Sequence, residues 1–207
     1  MRLDDYLAVM ATEDARFRAL ATRLAPATRI PTCPDWTVRD LLDHVIGLSR
    51  GVTWVLATHR RHPPGPGEAA NWFEPSSLDE LATTQQALAT ATPDDYWTVW
   101  PTGDPVTFWA RRHAHELAIH RVDLELAAGE EVTAFDPEFA ADGVDELITY
   151  LTRVRGLDIT VTVTGGVWQV TFDGGTITGP ATELYPMLWN RTSPRPAWQR
   201  VARWNYG

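Results

Sequence analysis

Apolar residues in the first half of the chain recur every three or four positions. Leu3, Tyr6, Leu7, Met10, Phe17, Leu20 and Leu24 do so at the start, which predicts an amphipathic helix over 3–24. A proline-bearing connection, ATRIPTCPDW, follows. Val38, Leu41, Leu42, Val45, Leu48, Val52 and Val55 then make the apolar face of a second helix. Thr37 opens it with Asp40 as carboxylate capping partner, and it ends near Arg61, ahead of HPPGPG. A loop over 62–75 carries Trp72 and Phe73. Ser77 with Glu80 forms a second capping box, so 77–90 reads as a third helix. Asp104 and Pro105 supply an N-cap and a first-turn proline for a fourth, which Gly129 stops. Its length, about 24 residues, corresponds to a rod of roughly 36 Å. Four amphipathic helices in this span predict a bundle, an architecture that assembles metal and cofactor sites from facing helices.

Beyond Gly129 the pattern changes. Asp136 and Pro137 start a further helix that Gly156 ends, with Phe139, Leu147, Ile148, Leu151 and Val154 apolar. Apolar and polar residues then alternate over 157–178, around Gly165-Gly166 and again around Gly174-Gly175, which predicts hairpin-connected strands. Gly179-Pro180 leads into a short helix over 181–191, bent at Pro186. The tail over 192–207 has too few periodic apolar residues to assign. The expected fold class is therefore α+β: a four-helix bundle over 1–130 followed by a small α+β domain over 131–207, with no internal repeat.

Composition narrows the function classes. With 44% hydrophobic and 22% charged residues in 207, the chain falls in the globular range, enough for one good core or two modest ones. No apolar run approaches the ~20 residues of a membrane span. The N-terminal stretch is dotted with acids and lacks a signal peptide's basic start and apolar core, so a cytoplasmic location and no membrane partner are expected. A net charge of -9 argues against a nucleic-acid partner. All 18 basic residues are arginine, which excludes lysine Schiff-base chemistry. The single Cys33 excludes an internal disulfide and an all-thiolate zinc site, and reads as buried structure rather than ligand or nucleophile.

The fourth helix carries more metal-ligand side chains than a helix surface needs. Glu116 and His120, four apart, project from one face at chelating spacing. Asp123, three beyond His120, is placed to hold its imidazole in one tautomer. His113 shares that face and is a rival ligand, whereas His115 faces away and reads as a packing or hydrogen-bonding group. The second helix offers a third ligand in His44, one turn after Asp40, which could cap the helix or orient the imidazole. Two histidines and a carboxylate, with room left for water or substrate, is the donor set of an open catalytic site for zinc or another divalent metal. His59 and His62 read as exposed helix-end groups. Trp36 and Trp109 are expected in the core; Trp72, Trp97 and Trp100 lie on connections that could rim a pocket and touch substrate.

The segment from Cys33 to His44, CPDWTVRDLLDH, together with HELAIHRVD from His115 to Asp123, resembles the mycothiol-dependent maleylpyruvate isomerase family, whose N-terminal domain is a DinB-like four-helix bundle. The stretch Gly179-Pro180-Ala181 through Leu188-Trp189-Asn190-Arg191 is similar to the end of that family's second domain. Asp35 stands where the family often has glycine. The resemblance implies a divalent metal, usually zinc, held by His44, Glu116 and His120, and mycothiol as cofactor. It further implies thiolate addition to the conjugated cis double bond of maleylpyruvate, rotation about the resulting single bond, and loss of the thiolate to give fumarylpyruvate. A free thiol is only about 3% thiolate at pH 7, so a metal that deprotonates it supplies the nucleophile. Arg191 is the candidate catalytic residue for holding an anionic substrate; an arginine ending a surface helix is the plainer reading. The expected function is a metal- and mycothiol-dependent isomerase or S-transferase acting on a small electrophile. Two other readings stay open: a metal hydrolase using the same centre, and a non-catalytic ligand-binding or regulatory protein.

Overall fold

The computed structural model of the protein describes residues 1–65, 67–69, 72, 77–192 and 198. Phe73 and most of the tail lie outside the described residues. The fold is α+β, a helical N-terminal part followed by a small strand-containing part. Two compact units divide the chain, one of Arg2–Glu131 and one containing Val132–Gly207.

In the first unit the order is α1 (Leu3–Arg23), β1 (Arg29–Ile30), β2 (Cys33–Thr37), α2 (Val38–Ala57), α3 (Asp79–Thr90) and α4 (Pro105–Ala127). The caps of α2 and α4 form as their sequences dictate. Thr37 and Asp40 exchange hydrogen bonds at the start of α2. Asp104 accepts from the Thr107 amide at 3.1 Å, with Pro105 in the first turn of α4. The Ser77/Glu80 box does not form; the Glu80 carboxylate pairs instead with Arg50 of α2, at 2.5 and 3.0 Å. Ionic pairing across two helices won over a local cap. Residues read as a plain connection contain the antiparallel β1–β2 hairpin, in which Ile30 pairs with Cys33 and Arg29 with Thr37. Two strands this short carry too little alternation to be recognised from sequence.

α4 is not amphipathic. Every residue from His113 to Glu125 is buried, because α1, α2 and α3 all pack on this helix. Its polar side chains must therefore find partners inside the bundle. Arg121, fully buried, donates from Nε to Glu13 of α1 at 2.7 Å and from Nη1 to Glu125 at 2.6 Å. Earlier on the same helix, the His113 ring nitrogen Nε2 lies 3.2 Å from Ser49 Oγ of α2. The Ser49 hydroxyl donates to the Val45 carbonyl at 3.0 Å, so its one hydrogen is used and His113 is the donor to it.

The second unit contains α5 (Pro137–Arg153), strands β3 (Ile159–Thr164), β4 (Val167–Phe172) and β5 (Gly175–Pro180), and α6 (Ala181–Leu188). The strands form one antiparallel sheet in the order β3-β4-β5, with Val161 opposite Val170 and Val170 opposite Ile177. Gly165 and Gly166 both adopt positive φ, 57° and 79°, as the two-residue connection between β3 and β4 requires. Val170, Phe172 and Ile177 are buried while Gln169 and Thr171 are exposed, the period of two that the sequence carries. Gly143 of α5 lies under Tyr185 of α6, where a Cβ would overlap the ring.

Candidate metal centre

The centre is built in the first unit from two elements. α4 presents Glu116 and His120 one turn apart, and α2 presents His44 opposite them. One donor atom from each of the three lies within 4.8 Å of the others. His120 Nε2 is 3.2 Å and His44 Nε2 3.8 Å from Glu116 Oε2. Neither distance corresponds to an aligned hydrogen bond: the buried atoms Glu116 Oε2 and His120 Nε2 are left with no hydrogen-bond partner. A buried carboxylate oxygen and an imidazole nitrogen thus face each other 3.2 Å apart with no aligned hydrogen bond between them. A divalent cation would satisfy them together, so the donor set fits the metal that the sequence led us to expect.

The surroundings prepare each donor. His120 Nδ1 donates to Asp123 Oδ2 at 2.8 Å, which fixes the tautomer and leaves Nε2 to the centre. Asp123 is in turn held by Thr32, whose hydroxyl donates to Oδ1 at 2.5 Å from the turn between β1 and β2. Burial works to lower the His120 pKa, and the Asp123 hydrogen bond with the Glu116 charge outweighs it, leaving the pKa raised. Burial works to raise that of Glu116, and the Arg112 guanidinium with the two imidazoles holds it well below the usual carboxylate range. For His44 burial dominates, aided by His120, and its pKa is lowered. At neutral pH Glu116 is thus an anion and His44 an uncharged imidazole, the forms in which they bind cations.

Several sequence expectations resolve here. Asp40 caps α2, accepting from the Thr37 amide at 2.8 Å and hydroxyl at 2.6 Å, and its pKa is lowered by those bonds. Orienting an imidazole falls to Asp123 instead. His113 faces Ser49 and stands outside the cluster; burial pushes its pKa down to about 4. His115 is buried, and Cys33 is buried at 8% exposure and is not one of the three converging donors. His59 and His62 are exposed, His59 pairing with Asp94 at 2.7 Å. Trp109 is in the core, but Trp36 is only half-buried: its ring stands 4.9 Å from that of His44 and 6.2 Å from that of His120, a wall of the centre. Trp72, Trp97 and Trp100 pack on Trp54, Trp109 and Phe108 respectively. Arg191 lies in the second unit and is no surface arginine, being buried at 6% with Nη1 donating to the Trp189 carbonyl at 2.7 Å.

Sequence reasoning passed over Arg112, which forms an ion pair with Glu116 Oε1. The signal was available, since Arg112 precedes Glu116 by four positions on the same helix. Thr32 carried no comparable signal; only the hairpin brings it to Asp123, 91 positions away.

The model of the mycothiol maleylpyruvate isomerase N-terminal domain matches residues 10–125, which contain all three converging donors. The chain belongs to that family. No curated protein and no solved structure matches it. Within this mycothiol maleylpyruvate isomerase family member, no helix among the described residues is long and apolar enough to cross a membrane.

Proposed function

We propose that the protein is a metal- and mycothiol-dependent isomerase or S-transferase acting on a small electrophile of the maleylpyruvate type, with the metal held by His44, Glu116 and His120. The observation that carries the reading is the convergence of two imidazoles and one carboxylate, with Glu116 Oε2 and His120 Nε2 buried and unsatisfied, in a chain of this family. A divalent metal such as zinc, held by His44, Glu116 and His120, would supply Lewis acidity there and would favour the thiolate form of a bound thiol near neutral pH. Asp123 keeps the His120 Nδ1 proton away from the centre. Trp36 stands beside the His44 and His120 rings at the edge of the donors. The chain's single thiol, Cys33, is buried and outside the cluster, so the nucleophile comes from a low-molecular-weight thiol.

Two measurements test this. Metal analysis of the purified protein should find about one divalent ion per chain, and His44→Ala and His120→Ala should each lose it. Absorbance assays with maleylpyruvate should show turnover only when mycothiol is added, with glutathione a poorer substitute. Full metal occupancy in His120→Ala refutes the ligand assignment. Turnover without thiol moves the protein to the hydrolase reading, and bound metal without turnover on any electrophile favours a binding protein.

A further inference from the structure

We propose that Arg112 restricts Glu116 to metal binding through one oxygen, Oε2, and cancels its charge, so that the centre gives up metal affinity in exchange for stronger attraction of an anionic ligand. The inference rests on the metal reading above. Arg112, Glu116 and His120 stand at successive four-residue steps on one face of α4. Side-chain exposure falls along that row from 16% to 4% to 0%, so Arg112 is at the solvent end. Its Nη2 donates to Glu116 Oε1, while Oε2 faces the two imidazoles with no hydrogen bond of its own. The two carboxylate oxygens are thereby assigned to different partners.

The charge balance follows. Arg112 is positively charged at every accessible pH, and Glu116 is its counter-ion. With neutral imidazoles, the guanidinium offsets the Glu116 carboxylate and Asp123, on the far side of His120, is a further nearby negative charge, so a bound dication keeps more of its charge than it would without Arg112. Such a centre draws an anion, either a thiolate or the carboxylate of a small acid, more strongly than a centre whose glutamate is free to neutralise the metal. The same guanidinium repels the metal. Arg112 is a positioning residue here: it acts through Glu116.

A role in holding α4 together and a role in tuning the centre predict opposite signs. If Arg112 only orders Glu116, replacing it weakens metal binding. On the electrostatic account, Arg112→Gln binds zinc and cobalt(II) about tenfold more tightly, a fraction of the full Coulomb repulsion because the arginine is partly screened by solvent. The full chain, loaded with cobalt(II), provides a second readout. Its visible spectrum reports the number of donors, and Arg112→Gln should shift it toward higher coordination as Glu116 Oε1 becomes available. Titrated with 2-mercaptoethanol, the thiolate-to-cobalt band of the variant should develop about one pH unit higher than that of the wild type, the same tenfold effect in the opposite direction. Arg112→Lys, which keeps the cation, should stay near wild type in affinity.

Chelator competition decides the matter. Tighter metal binding in Arg112→Gln than in wild type and Arg112→Lys supports the proposal. Equal or weaker binding in Arg112→Gln, with an unchanged cobalt spectrum, overturns it while leaving the metal assignment standing. A wild-type protein that takes up neither metal overturns the metal reading and this inference with it. If Arg112→Gln does not fold, Arg112→Met against Arg112→Lys makes the same comparison, and equal affinities or the reverse order overturn the proposal.

Discussion

Acidification should remove stability from the helical unit through His113. The side chain is 1% exposed, enclosed between α4 and α2, and donates from Nε2 to Ser49. Burial holds its pKa at about 4 against an ordinary 6.5. An unfolded chain therefore takes up this proton before the folded one does. The folded pKa of this base is depressed, so its contribution is fully present above about pH 6.5, declines as pH falls from there, and is exhausted below about pH 4. About 2.5 pH units at 1.36 kcal/mol each gives roughly 3 kcal/mol in total, of which about 2 kcal/mol is lost between pH 7 and pH 5. The assay is urea unfolding followed by far-ultraviolet circular dichroism, with chelator present so that no metal contributes. Other groups titrate over the same range, so the quantity to compare is the difference between wild type and His113→Gln, which carries no ionisable ring. The wild type should lose about 2 kcal/mol more than the variant over that interval. Parallel stability curves for the two proteins would refute the account, since His113 would then be protonated equally easily in both states.

Further outcomes can be checked independently. Arg121→Met, which takes the guanidinium from between the buried Glu13 and Glu125, should cost about 3–5 kcal/mol in unfolding free energy, and adding Glu13→Gln and Glu125→Gln should recover most of it; no loss in the single variant would show that the cluster is dispensable. A chain shortened to residues 1–131 should keep helical circular dichroism and bind a divalent metal, whereas an unfolded fragment would show that the first unit depends on the second.

Local sequence pattern set most of the elements and pointed to the three side chains that converge at the candidate centre. Thr37 with Asp40 and Asp104 with Pro105 fixed where α2 and α4 begin, and paired glycines fixed the hairpins, because caps and turns are satisfied by residues within three or four positions of each other. Glu116 and His120 were legible for the same reason: helical geometry alone puts them on one face. What joins residues distant in sequence was decided only by tertiary packing. The continuous burial of α4 from His113 to Glu125 could not be read from its polar residues, since it comes from other elements packed around it. Arg121 and Glu13 are 108 positions apart, Asp123 and Thr32 are 91, and His113 and Ser49 are 64. Each pair exists because a polar group forced into the interior must be matched there, and the chain's local pattern holds no record of which distant group will be near. The half-burial of Trp36 against His44 and His120 is of this kind as well: a short hairpin, too brief to announce itself, carries the ring to the edge of the centre instead of into the core.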